Sequence, residues 1–101
     1  MNAALSNSRA LELARRAAAH LYAHGARAVW LFGSLAKGRE PDARSDADFA
    51  VEGLPEEVYF RMIFDLEGIM ELPVDLVELE RAPEPLRAQI FEHGKFLEHE
   101  N

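Results

Sequence analysis

The sequence contains no cysteine. That excludes a disulfide framework, a thiolate metal site and a cysteine nucleophile, and it fits a reducing compartment such as the cytoplasm. Long hydrophobic runs are also missing. The longest is about five residues, against the ~20 that a membrane-spanning helix needs. The opening MNAALSNSR has no basic segment followed by an apolar one, so no secretory signal is expected. Positive charge is scarce: 11 Lys and Arg stand against 18 Asp and Glu, for a net charge of −7. A duplex-binding surface normally needs a basic footprint, so nucleic acid is disfavoured as the main partner. A bound cation would neutralise part of this acidity. There is no internal repeat, low-complexity tract or inter-domain linker. Gly33 and Gly38 have the spacing of a P-loop, but Arg39 and Glu40 stand where Lys and Ser/Thr are required. No G-x-S-x-G elbow or Ser–His–Asp order points to acyl transfer.

What is present reads as one domain over residues 1–101, of ordinary globular composition, with 49% hydrophobic and 29% charged residues. A chain of this length buries roughly two thirds of its unfolded surface without a staple. Leu11, Ala14, Ala18 and Leu21 recur at helical spacing, which predicts a helix over 8–24 with Ser8 as N-cap and Gly25 as its stop. The apolar run Ala28 to Phe32 predicts a strand over 27–32 buried on both faces. Leu35 to Lys37 fit one helical turn capped by Ser34, and Gly38 to Ser45, with Pro41, fit a loop. Residues 46–51 alternate as a half-buried strand, and 56–70 form a helix striped by Tyr59, Met62, Leu66 and Ile69. A third strand runs from Val74 to Leu79. Pro85 suits the first position of a last helix that Gly94 stops, and Lys95 to Leu97 fit a short closing strand. The fold class is therefore α/β (α+β), a small mixed sheet with helices packed against it.

The stretch Gly33 to Asp48, GSLAKGREPDARSDAD, joins the first two strands and carries the chemistry. Gly33-Ser34 follows a buried strand, where Gly allows close backbone approach and Ser with the next amides can meet an anion. A plain strand-to-turn stop is the alternative for that pair taken alone. Asp46 and Asp48, two apart on a strand, share a face with Cα atoms about 6.5–7 Å apart and can converge on a hard cation. A bare D-x-D is more often a polar strand start, but this one opens a strand whose other face is apolar. Asp75 lies in Pro73-Val74-Asp75-Leu76-Val77. An unpaired buried carboxylate is costly, so Asp75 has a partner, shares a cation, or lies at an exposed strand end. Lys37, Arg39 and Arg44 flank the Gly-Ser end, either as solvated loop cations or as partners for phosphate or an acidic segment. His20 and His24 have i, i+4 spacing without an evident third ligand and read as solvated, as do the terminal His93 and His99.

Together, Gly33-Ser34, the eleven residues 35–45, Asp46-x-Asp48 and a later lone acid in an apolar strand resemble the nucleotidyltransferase superfamily related to DNA polymerase beta. The fuller string GSLAKGR…SDADFAV…VDLVEL resembles the minimal nucleotidyltransferases, the MntA-type antitoxins of HEPN–MNT toxin–antitoxin pairs. The resemblance covers roughly residues 10 to 97. It implies a polymerase beta-like fold, with Asp46, Asp48 and Asp75 as catalytic ligands of two Mg²⁺ ions. It also implies that Gly33, Ser34 and Lys37 lie at the phosphates of an ATP substrate. The implied reaction is transfer of AMP to a hydroxyl, in the antitoxins a tyrosine of the helical HEPN toxin. Ala47 and Lys37 depart from the larger aliphatic residue and the Arg common in the family. Because the last strand falls near residue 97, a partner chain or self-association is expected to complete the site. Two other functions fit less well: an antitoxin that acts by contact alone, and a transferase for a small molecule such as an aminoglycoside.

Overall fold

A computed structural model describes residues 6–39, 42 and 45–100. Pro41 and Arg44 lie outside the described residues. The first helix, α1 (Asn7–Ala23), is capped by Ser6 rather than Ser8, its side chain accepting from the Arg9 amide at 3.1 Å. Ser6 is the residue still in extended geometry, which an N-cap requires. At the other end Gly25 has φ +109°, and the Gly25 and Ala26 amides donate back to the Tyr22 and Leu21 carbonyls. This paired closure needs a left-handed residue after the helix, a conformation that glycine adopts without penalty.

Four strands follow: β1 (Ala28–Phe32), β2 (Ala47–Glu52), β3 (Val74–Glu78) and β4 (Lys95–Leu97). Their order in the sheet is β3-β2-β1-β4. β1 pairs antiparallel with β2 and β4, while β2 and β3 are parallel. A parallel pair needs a crossover, and α2 (Tyr59–Met70), entered through a short 3-10 turn at Glu56–Val58, supplies it. After β3, α3 (Glu84–His93) has Pro85 in its first turn and leads into β4. Among the described residues no helix is long and apolar enough to cross a membrane.

The side-chain alternation of the strands sorts the core into two parts. Val29, Leu31, Ala47, Phe49, Val51, Leu76 and Leu97 face α1 and α2. The inner stripe of α1 is largely alanine (Ala10, Ala14, Ala17, Ala18), which lets the helix lie close to the sheet. Tyr22 pins it there: its hydroxyl donates to the Leu97 carbonyl at 2.7 Å and accepts from the Val29 amide at 3.2 Å. The opposite face holds Trp30, Phe32, Ala50 and Val77, covered in part by Ile90 and Leu86 of α3 and by Leu79. Thus β2 is not half-buried along its length. Ala50, expected on the polar face with Asp46 and Asp48, is fully buried beneath α3, and only the start of that face stays open. β1 differs as well: Val29 and Leu31 are fully buried, but Ala28, Trp30 and Phe32 are only partly covered. His20 is not simply solvated either, since its Nε2 lies 2.8 Å from the Asp65 carboxylate on α2.

Candidate active site

The uncovered corner of the second face is where the sequence motifs meet. Asp48 is the second residue of β2, with Phe32 of β1 as its neighbour on one side and Asp75 of β3 on the other. Adjacent in-register residues project to the same side, so Asp48 and Asp75 share this face. Asp46, two residues before Asp48, belongs to the same side and is exposed just ahead of the strand. Asp75 is also exposed, near the start of β3, rather than buried within the strand.

Asp48 lies within the field of the other two acids. Burial pushes the Asp48 carboxyl up to about 6, and the charges of Asp75 and Asp46 push in the same direction. The Tyr59 phenol, whose hydroxyl donates to the Leu76 carbonyl, is also raised, by burial and by the Glu78 and Asp75 carboxylates. Oxygen donors alone, with negative charge in excess, match the preference of a hard divalent cation. Among the described residues no cluster of three Asp, Glu, His or Cys side chains is already drawn together as a metal cage. The donor chemistry and shared face therefore fit such an ion, with side-chain movement needed to close around it.

Gly33 joins the other half of the motif to this corner. Its φ is +76°, and a Cβ placed there would stand 2.2 Å from the Asp48 carboxylate oxygen Oδ2. The left-handed backbone favours glycine here, and any side chain would displace the Asp48 carboxylate from its place beside the end of β1. The chain then coils through a turn over 34–38, as the Lys37 amide bonds to the Gly33 and Ser34 carbonyls and the Gly38 amide to Leu35. These are successive turns rather than a regular helix. Leu35, 1% exposed, anchors the turn in the core. Asn7 of α1 ties it from outside, donating to the Arg39 carbonyl at 3.3 Å and the Leu35 carbonyl at 3.5 Å. Sequence reasoning missed Asn7, and nothing in its local pattern marks it.

Gly33 and Lys37 open on a cleft of about 180 Å³, also lined by Phe32, Gln89, His93 and Gly94. His93, expected to be merely terminal, thus faces the motif from α3, and Gln89 stands one turn before it. Their i, i+4 spacing on a polar helix face was the available signal.

The fold has counterparts among known proteins. The family model described as polymerase beta, nucleotidyltransferase matches residues 20–101. No curated protein matches the chain. A solved protein described as a minimal nucleotidyltransferase superposes with TM-score 0.77 at 27% identity, over 92% of this chain and 97% of that one. A toxin–antitoxin structure with AMP-PNP aligns with TM-score 0.71 at 26% identity, over 86% of this chain and 74% of its own. A tri-AMPylated Shewanella oneidensis HEPN toxin in complex with MNT antitoxin gives TM-score 0.58 at 24% identity, over 93% and 70%, and shares the fold. With the family model spanning most of its length and the Gly-Ser turn set against the carboxylate corner, the chain belongs to the polymerase beta nucleotidyltransferase family.

Proposed function

We propose that the chain is a single minimal nucleotidyltransferase domain that moves AMP from ATP to a hydroxyl acceptor, a tyrosine of a HEPN-type toxin, and so acts as an antitoxin. The observation that supports this most is the meeting of Gly33 with Asp48, because it sets the Gly-Ser turn beside the carboxylate corner. The nucleotide and the acceptor class come from relatives, one solved with AMP-PNP and another with an AMPylated HEPN toxin.

In this reading the amides after Gly33, the Ser34 hydroxyl and Lys37 hold the β- and γ-phosphates. Asp46, Asp48 and Asp75 would hold two Mg²⁺ ions, which would neutralise phosphate charge and make the attacking hydroxyl more acidic. The chain's own groups do the rest. Gly33 fixes the phosphate end relative to Asp48, which sets the α-phosphorus near the carboxylates. Asp75, exposed at the rim, would receive the proton of an incoming hydroxyl. The acceptor oxygen bonds to the α-phosphorus as the bond to the departing pyrophosphate breaks, in line with it. Holding the reactants in that line is the main contribution a protein makes to such a transfer.

The contact-only antitoxin is a second reading with its own support: Phe60 and Phe64, one turn apart on α2, are 80% and 76% exposed. Large exposed aromatics grouped together mark protein contacts. Mass spectrometry of a HEPN partner incubated with this chain, ATP and Mg²⁺ separates the two. AMP added to a tyrosine, and lost with Asp48→Asn, supports the transferase. A stable complex without added mass supports contact alone.

A further inference from the structure

The strongest feature not used by the motif is the far wall of the cleft beside Gly33. One wall is Phe32, Gly33 and Lys37, and the other is Gln89, His93 and Gly94 at the end of α3. On a chain of net charge −7, this cleft has no carboxylate among the described residues that line it. Its polar side chains are instead those of Lys37, Gln89 and His93, all able to donate hydrogen bonds. The wall is also held in place. A Cβ at Gly94 would stand 2.4 Å from the Ile90 carbonyl oxygen and 3.2 Å from that of Leu31. Glycine at this position therefore lets the end of α3 close onto β1. Ile90, fully buried against Ala50 and Leu79, anchors the same helix one turn earlier. Gln89 and His93, four apart, then project together toward Gly33 and Lys37.

We propose that Gln89 and His93 are positioning residues that clasp the polyphosphate tail of the nucleotide from the α3 side, opposite Lys37. This rests on the nucleotidyltransferase reading and adds a second wall to it. The ligand class is a linear polyphosphate, as the tail of a nucleoside triphosphate or as released pyrophosphate. A nucleoside monophosphate lacks the groups that would reach this wall. Two donors from one helix face and a lysine from the turn surround the tail, and hydrogen bonds to charged oxygens are the strong kind.

Calorimetric titration with inorganic tripolyphosphate, Mg-ATP and AMP tests this on the chain itself. Gln89 and His93 are exposed, so their substitution leaves the core intact. His93→Ala with Gln89→Ala is expected to weaken tripolyphosphate and Mg-ATP by about tenfold or more, the loss of one to two such bonds, while AMP is unchanged. His93→Lys restores most of the loss, which a merely structural residue would not do. The proposal is overturned if the double variant binds tripolyphosphate as the wild type does. It is equally overturned if AMP weakens in parallel, or if the wild type binds no tripolyphosphate at millimolar concentration. The underlying reading fails separately: absent AMP transfer with tripolyphosphate binding still dependent on His93 removes the enzyme but keeps the cleft.

Discussion

The two faces of the sheet are made from the same strands and have different tasks. Toward α1 and α2, Val29, Leu31, Phe49 and Val51 are fully buried, and the Tyr22 hydroxyl buried among them has both its hydrogen-bond partners. On the reverse, α3 contributes one fully buried side chain, Ile90, and stops short of the corner that carries Asp46, Asp48 and Asp75. Alternation along β2 places Phe49 on one side and Asp48 on the other, one residue apart. The lesson is that a small domain can leave neighbouring carboxylates on one face when the opposite face supplies the stability.

The largest expected effect breaks the stabilising face. Phe49→Ala should lower stability by about 3–5 kcal/mol, because it empties a fully buried ring site. Chemical denaturation checks this, and a loss below 1 kcal/mol would mean that the face is not the main core. Next comes the reverse face. Asp48→Asn should leave the fold intact and reduce AMP transfer by at least roughly 10²–10³-fold, the scale of losing one transition-state electrostatic partner. Single-turnover assays measure it, and transfer within a few-fold of wild type would remove Asp48 from the chemistry.

Much of this comparison was legible in the sequence. The Gly-Ser turn, the D-x-D pair and Asp75 stand out because their residue types conflict with the apolar strands around them. Pro85 and Gly94 delimit α3, and alternation along 46–51 separates Asp48 from Phe49. The rest depends on contacts between distant segments. Sequence spacing does not disclose that β2 and β3 pair in parallel with Asp48 opposite Asp75. It does not disclose that α3 buries Ala50 on the polar face, or that the same docking brings His93 to Gly33. Ser6 rather than Ser8 caps α1 because the cap is decided by backbone geometry that both serines could adopt locally.

Smaller effects sharpen the contrast. Tyr22→Phe removes the acceptor of the Val29 amide and the donor to Leu97, and should cost about 1–2 kcal/mol in thermal or chemical denaturation with transfer unchanged. The smallest is a pH effect at the open corner. Asp48 holds its proton up to about 6 in the folded chain, against an ordinary 3.8. The folded state thus binds more protons between those values, so this group's contribution to stability falls as pH rises through that window. Asp48→Asn removes that decline. In metal-free buffer it should melt a few degrees above wild type at pH 8, an effect on the order of 1 kcal/mol after solvent screening, and close to wild type at pH 4. An equal gap at both pH values would show that like-charge repulsion and burial are not what raises Asp48.

The corner left open by α3 is the proposed catalytic centre. Titrating the ¹⁵N-labelled chain with Mn²⁺ in the presence of a non-hydrolysable ATP analogue locates the bound ion, because a paramagnetic ion broadens nearby amide signals. Broadening is expected to centre on Gly33, Ser34, Asp46 to Phe49 and Val74 to Leu76, with α1 spared and the effect lost in Asp48→Asn. Broadening centred elsewhere, or unchanged in that variant, would contradict it.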